Sequence, residues 1–169
     1  MRAHTLGVNV MLNQTTPKAI DSQCKAIATS LGLDIGLAEF LAYAHEERFS
    51  ACEQFCHLNC KRMMQFEDGE IIFGWVLWQD KKQKFIEAEF HSVWKTKNGT
   101  LKDITPRIDR EETILFIPDK KRKVIFPNIL DHIISYLNHK MHGNRVTETT
   151  TSGPHFVDPE NLQRIGLAH

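Results

Sequence analysis

About two thirds of the way along the first hundred residues, the hydrophobic period of this chain changes, and that change limits what it can fold into. Up to about Phe66 the apolar residues recur at helical spacing. Ile71 to Trp78 and Lys84 to Trp94 are instead rich in β-branched and aromatic residues, and a polar turn at Gln79 to Gln83 separates them. Asn98-Gly99 is a strong hairpin signal leading to a short strand around Leu101 to Ile104. Thr113 to Ile117 and Val124 to Phe126 read as further strands. Helices followed by antiparallel strands imply an α+β fold, with N-terminal helices packed on an antiparallel β-sheet.

The helical part divides into three. Thr16 and Pro17 offer a start for a first helix, Ile20, Cys24, Ile27 and Leu31 give it a buried face, and Gly32 ends it. Asp34 caps a second, expected to bury Leu37, Phe40, Leu41 and Ala44. Ser50 and Glu53 form a capping box for a third, running to about Phe66, where Glu67, Asp68 and Gly69 break it. Pro127 and Asn128 introduce a C-terminal helix over about 129–140. A single domain is expected over 1–142, and the polar, threonine-rich stretch 143–169 is expected to be a tail that is flexible or docks only locally.

Composition narrows the function classes. The chain has 169 residues, 41% hydrophobic and 25% charged, enough to bury roughly 70% of its unfolded surface without a disulfide or metal. Lysine plus arginine and aspartate plus glutamate both number 21, so no basic excess advertises a nucleic-acid partner. Lys120, Lys121, Arg122 and Lys123 form a local cluster, read as solvated residues flanking a strand. No secretory signal or membrane-length apolar run is seen, and closely spaced cysteines suit a reducing compartment, so a cytoplasmic location is expected.

Three segments carry chemistry: Cys56 to Cys60 on the third helix, Phe90 to Trp94 in a strand, and Gly99 to Pro106 across a turn and strand. A thiol becomes a strong nucleophile when an imidazole takes its proton, and a helix N-terminus favours the thiolate. The imidazole needs a carboxylate or amide to fix its orientation. His91 and Asp103 on neighbouring antiparallel strands, joined through Asn98-Gly99, can supply that contact.

The pattern Cys56 with Asn59, Gly74 with Trp75, His91 with Trp94, then Gly99 with Asp103, Thr105 and Pro106, resembles the transglutaminase-like branch of papain-fold cysteine enzymes. The resemblance spans about residues 50 to 106. It implies a papain-like core with Cys56 as nucleophile, His91 as general base and Asp103 as the orienting carboxylate. It also implies amide-bond cleavage or formation through an acyl-enzyme, as in proteases, amidases, deamidases or transglutaminases, on a protein or peptide substrate and without a cofactor. The capping box at Ser50 would leave Cys56 inside the helix, with Cys52 at its start as another candidate nucleophile. A later start after a bend near Gln54 and Phe55 would instead give Cys56 the helix dipole.

Other roles stay open. Gln54 is a candidate oxyanion donor, and Asn59 either assists the site or caps buried backbone. His57 is expected to be exposed or a structural hydrogen-bonder. Trp75, Trp78 and Trp94 belong to the core, with Trp75 and Trp94 as candidate cleft walls. The same sequence allows a catalytically inactive module that binds a protein or peptide. It also allows zinc on Cys52, Cys56, His57 and Cys60. Positions 52 and 60 lie about 12 Å apart along a helix, which argues against one tetrahedral ion.

Overall fold

A computed structural model of the protein describes residues 12–109 and 111–168. It is α+β, with three helices and a mostly antiparallel sheet. The polar N-terminal stretch lies largely outside the described residues. Helix α1 (Ser22–Leu31) is capped by Asp21, whose carboxylate accepts from the Cys24 amide, and it ends at Gly32 with φ +70°. Asp21 therefore takes the capping role expected of Thr16, and Ile20 stays outside the helix.

The second expected helix is absent. Asp34 caps only a short 3-10 turn, Ile35–Leu37, after which the chain extends as β1 (Glu39–Ala42). The physical reason is tertiary: β1 pairs in register with β5 (Thr113–Pro118), Phe40 opposite Leu115. Leu37 and Phe40, expected in a buried helical face, are exposed, and Leu41 alone of the expected apolar set is deeply buried.

Strands β2 (Gly69–Asp80) and β3 (Phe85–Thr96) form the long central hairpin, paired over all twelve positions. β4 (Leu101–Lys102) returns after Gly99, whose φ of +85° suits the Asn98-Gly99 turn. The segment expected as a helix at 129–140 is instead β6 (His132–Tyr136) and β7 (His139–His142). β7 pairs with the start of β3, and β6 pairs with β9 (Ser152–Phe156), so both find ladders that a helix would forgo. The stretch expected to be a tail holds β8 (Arg145–Glu148), β9 and the C-terminal helix α3 (Pro159–Ile165). Leu162, Ile165 and Leu167 there are buried. The main sheet runs β1-β5-β2-β3-β7-β8, with β4 added beside β3.

Side-chain alternation divides the interior in two. Trp75 and Leu77 of β2, Phe90 of β3 and Leu115 and Ile117 of β5 face α1, α2 (Cys56–Met63) and α3 in the larger core. Val76, Trp78, Val93, Ile114 and Phe116 face the other way and pack with Leu41. Among the described residues no helix contributes to this second cluster, yet it is buried. The chain leaving β1 meets the chain leaving β4 through a parallel bridge from Tyr43 to Asp103 and a bond from the Ala44 amide to the Asp103 carbonyl. The sheet thus curls onto itself, and the second cluster is its lining.

Along β3, β7 pairs with residues 85–88 and β4 with residues 94–95. Among the described residues, no strand covers the edge between them, 89–93. That open edge carries Glu89, His91 and Ser92. No helix of the described residues is long and apolar enough to cross a membrane.

Gly74 stands opposite His91 in the hairpin. A Cβ there would collide with the Ile117 carbonyl oxygen and the Phe116 ring. Gly74→Ala is expected to cost about 1–3 kcal/mol through forced separation of β2 and β5. The melting temperature should fall by several degrees in calorimetry, while an unchanged value would show that the strands accommodate the methyl.

Candidate functional site

The site is built where α2 reaches the open edge of β3. Its helix begins at Cys56, not in the Ser50 capping box. Gln54, with φ +65°, breaks the chain direction before Phe55, so Cys52 stays in the preceding loop and Cys56 takes the first helical position. Phe55 gives no side-chain cap, which leaves first-turn amides without the side-chain acceptor that a serine or aspartate would provide. The positive end of the helix thus lies at the Cys56 thiol.

Cys56, His91 and Asp103 come together although they lie on three different elements. All three are buried, at 7%, 3% and 0% exposure. His91 donates from Nε2 to Asp103 Oδ1 at 3.0 Å, which leaves Nδ1 for the sulfur. Cys56 and His91 line one small cavity, and the charge on each acts on the other. Asp103 Oδ1 also accepts from the Thr105 amide at 3.3 Å, and Arg107 Nη1 stands 3.6 Å from Oδ2. Asp103 is thereby fixed from two directions, and its buried charge faces two cationic neighbours when His91 is protonated.

Electrostatics follow from this packing. Burial alone would push the Cys56 thiol up, but the His57 and His91 imidazoles outweigh it and hold the thiol well below its ordinary range. Burial would likewise pull His91 down, but the Cys56 sulfur and the Asp103 carboxylate hold it well above the usual imidazole range. Both directions favour transfer of the proton from sulfur to nitrogen, toward a thiolate–imidazolium pair. The other cysteines lack this setting. Burial pushes Cys24 up to about 11, raises Cys52, and raises Cys60 strongly.

His57 is not exposed. Its Nδ1 shares a hydrogen bond with Ser92 Oγ at 2.9 Å, and its Nε2 with Ser135 Oγ at 3.2 Å, tying α2 to β3 and to β6. Asn59 serves backbone: its amide accepts from the Cys52 N–H, donates to the Cys52 carbonyl, and donates to Thr105 Oγ1. It pins the loop before Cys56 onto the segment after Asp103. Trp75 and Trp94 do not line the cleft. Both are fully buried, their indole N–H groups donating to Asp119 and Glu67 respectively. Trp78 takes the wall position instead, under the Arg107 guanidinium at 5.1 Å.

Two cavities meet at the thiol. One of about 380 Å³ extends toward β6 and β9, between Phe55, Phe90, Tyr136 and Phe156. The other, about 120 Å³, extends toward Trp78, His91, Pro106 and Arg107. Gln54, Cys56 and Glu89 line both. Phe90 and His91 point to opposite faces of β3, so a thiol bordering both cavities must sit level with the strand edge. Among the described residues no three His, Cys, Asp or Glu side chains converge as a metal ion would need, so Cys52, Cys56, His57 and Cys60 do not form one ligand set.

Glu89 and Ser92 escaped the sequence reading. Glu89 could have been noticed, since it precedes His91 by two residues and a strand returns those positions to one face. Ser92 carried no such signal. Comparison with known proteins adds no neighbour: no family model matches the chain, and neither a curated protein nor a solved structure matches it.

The imidazole's share of the thiol's acidity can be measured. At about pH 6 an ordinary thiol is less than 1% ionised, so His91→Ala should slow alkylation of Cys56 by iodoacetamide roughly 10- to 100-fold. Peptide mass spectrometry of timed reactions would read the rate. Equal rates in the two proteins would remove His91 as the proton acceptor.

Proposed function

We propose that this protein is a cysteine-dependent hydrolase or acyltransferase acting on amide bonds, of the transglutaminase-like, papain-fold kind. The observation that carries the reading is the buried Cys56–His91–Asp103 chain at a helix N-terminus, with cavities on both sides of the sulfur. A buried thiolate–imidazolium pair is costly to assemble and serves no packing purpose that serine or alanine could not meet. In papain-fold enzymes such a pair does acyl transfer, and the order Cys, His, Asp along this chain is in keeping with that resemblance.

The chemistry follows from the groups present. The Cys56 sulfur attacks an amide carbonyl carbon, forming a C–S bond and placing the negative charge on oxygen. First-turn amides of α2 and the Gln54 side chain, which borders the cavities, are the groups this reading assigns to that oxyanion. Imidazolium His91 gives its proton to the departing nitrogen as the C–N bond breaks, leaving a thioester on Cys56 and a free amine. Neutral His91 then takes a proton from water or an incoming amine, which attacks the thioester and restores the thiolate. Asp103 keeps the ring's Nε2–H engaged throughout, so that Nδ1 stays toward sulfur. Protein or peptide substrates fit the open, partly apolar character of the larger cavity, with Phe156 exposed at its edge.

Acyl-enzyme formation tests this. Incubation with p-nitrophenyl acetate should release a burst of nitrophenol close to one equivalent, with an acetyl group on Cys56 in the intact-mass and peptide spectra. Cys56→Ala should abolish the burst, and Asp103→Asn should slow it about 10-fold or more. Acetylation spread evenly over lysines, or an undiminished burst in Cys56→Ala, would overturn the reading.

A further inference from the structure

A carboxyl group stands beside the thiol with no part in the Cys56–His91–Asp103 chain. Glu89 occupies the uncovered edge of β3 and, with Gln54 and Cys56, lines both cavities. Its Oε2 accepts from Trp78 Nε1 at 3.0 Å. Among the described residues no group donates to Oε1. Burial raises the pKa of the Glu89 carboxyl, with Cys56 adding to it and His91 and Arg107 opposing. Glu89 is half-buried, and its Oε1 stays open to a donor brought in through either cavity. Because Glu89 and Cys56 line both cavities, a molecule held against the sulfur in either one meets this carboxyl.

We propose that Glu89 is a specificity residue that binds an N–H-bearing group, an ammonium or an amide nitrogen, of the molecule reacting at Cys56. Above its raised pKa the carboxyl is ionised and an acceptor only, so the group it selects must donate. A nitrogen next to the acyl carbon meets that need twice over, as the leaving amine of an amide and as an incoming amine acceptor. Anionic groups are disfavoured, since Glu89 and the thiolate would face them together at short range. The assignment rests on the reading of Cys56 as the reactive thiol, and it adds which substrates that thiol accepts: amine-bearing or amide-bearing molecules ahead of carboxylates.

Small alkylating agents test it without knowledge of the substrate. Bromoethylamine carries an ammonium, iodoacetate a carboxylate, and iodoacetamide no charge. The ratio of bromoethylamine to iodoacetate rates at Cys56, each normalised to glutathione, should exceed unity by about 10-fold in the wild-type protein. Glu89→Gln, which keeps the shape and an acceptor for Trp78, should bring that ratio down by about 10-fold. A wild-type ratio equal to that of glutathione would overturn the proposal without recourse to any variant, and so would a ratio unchanged in Glu89→Gln. The iodoacetamide rate separates this from the underlying reading. Rapid labelling of Cys56 with no amine preference removes Glu89 alone, whereas labelling no faster than glutathione at mildly acidic pH removes the activated thiol itself.

Discussion

A buried sulfur carries charge only where positive charge is brought to it, and the site of this protein depends on that pairing. Taken alone, the burial of Cys56 would make it as inert as Cys24 or Cys60. The difference is made by the His57 and His91 imidazoles, of which His91 is itself held by Asp103 at 3.0 Å. Each member needs the others: Asp103 is fully buried and would be an uncompensated charge without imidazolium His91 and Arg107.

Much of the fold serves to bring these groups together. The open edge of β3 between its β7 and β4 partners gives α2 a place to bring its first residue level with the strand. Closure of the sheet between the ends of β1 and β4 seats Asp103 at the lip of the curled sheet, beside the His91 ring. Asn59 couples the loop before Cys56 to the loop after Asp103, so the thiol and the carboxylate are positioned by one amide. His57 adds a tie to β6, which walls the larger cavity.

The central hairpin was legible in the sequence because β2 and β3 are long, rich in β-branched and aromatic residues, and bounded by polar turns. Cys56, His91 and Asp103 were legible because thiol, imidazole and carboxylate have few reasons to occur in that order within those elements. The start of α2 was visible only as an alternative, since Ser50 and Glu53 satisfy a capping pattern that the backbone at Gln54 overrides. The segments at 34–44 and 129–140 have apolar residues compatible with helical spacing, but their pairing partners lie far away in sequence, at β5, β3 and β9. Long-range ladders decide such short segments, and local spacing does not register them. The choice of Trp78 over Trp75 and Trp94 as a cleft wall likewise depends on which strand edge is left open.

The most direct test is to observe the charge on sulfur in the unmodified protein. The ultraviolet absorbance of thiolate, taken as the difference between wild type and Cys56→Ser across a pH titration, reports the ionisation of this one group. With His91 beside it, the signal should already be present in mildly acidic solution and hold steady through neutrality, since protonation of the thiolate requires pH to fall through the depressed value of Cys56. A signal that emerges only in alkaline solution, as burial alone would dictate, would contradict the account.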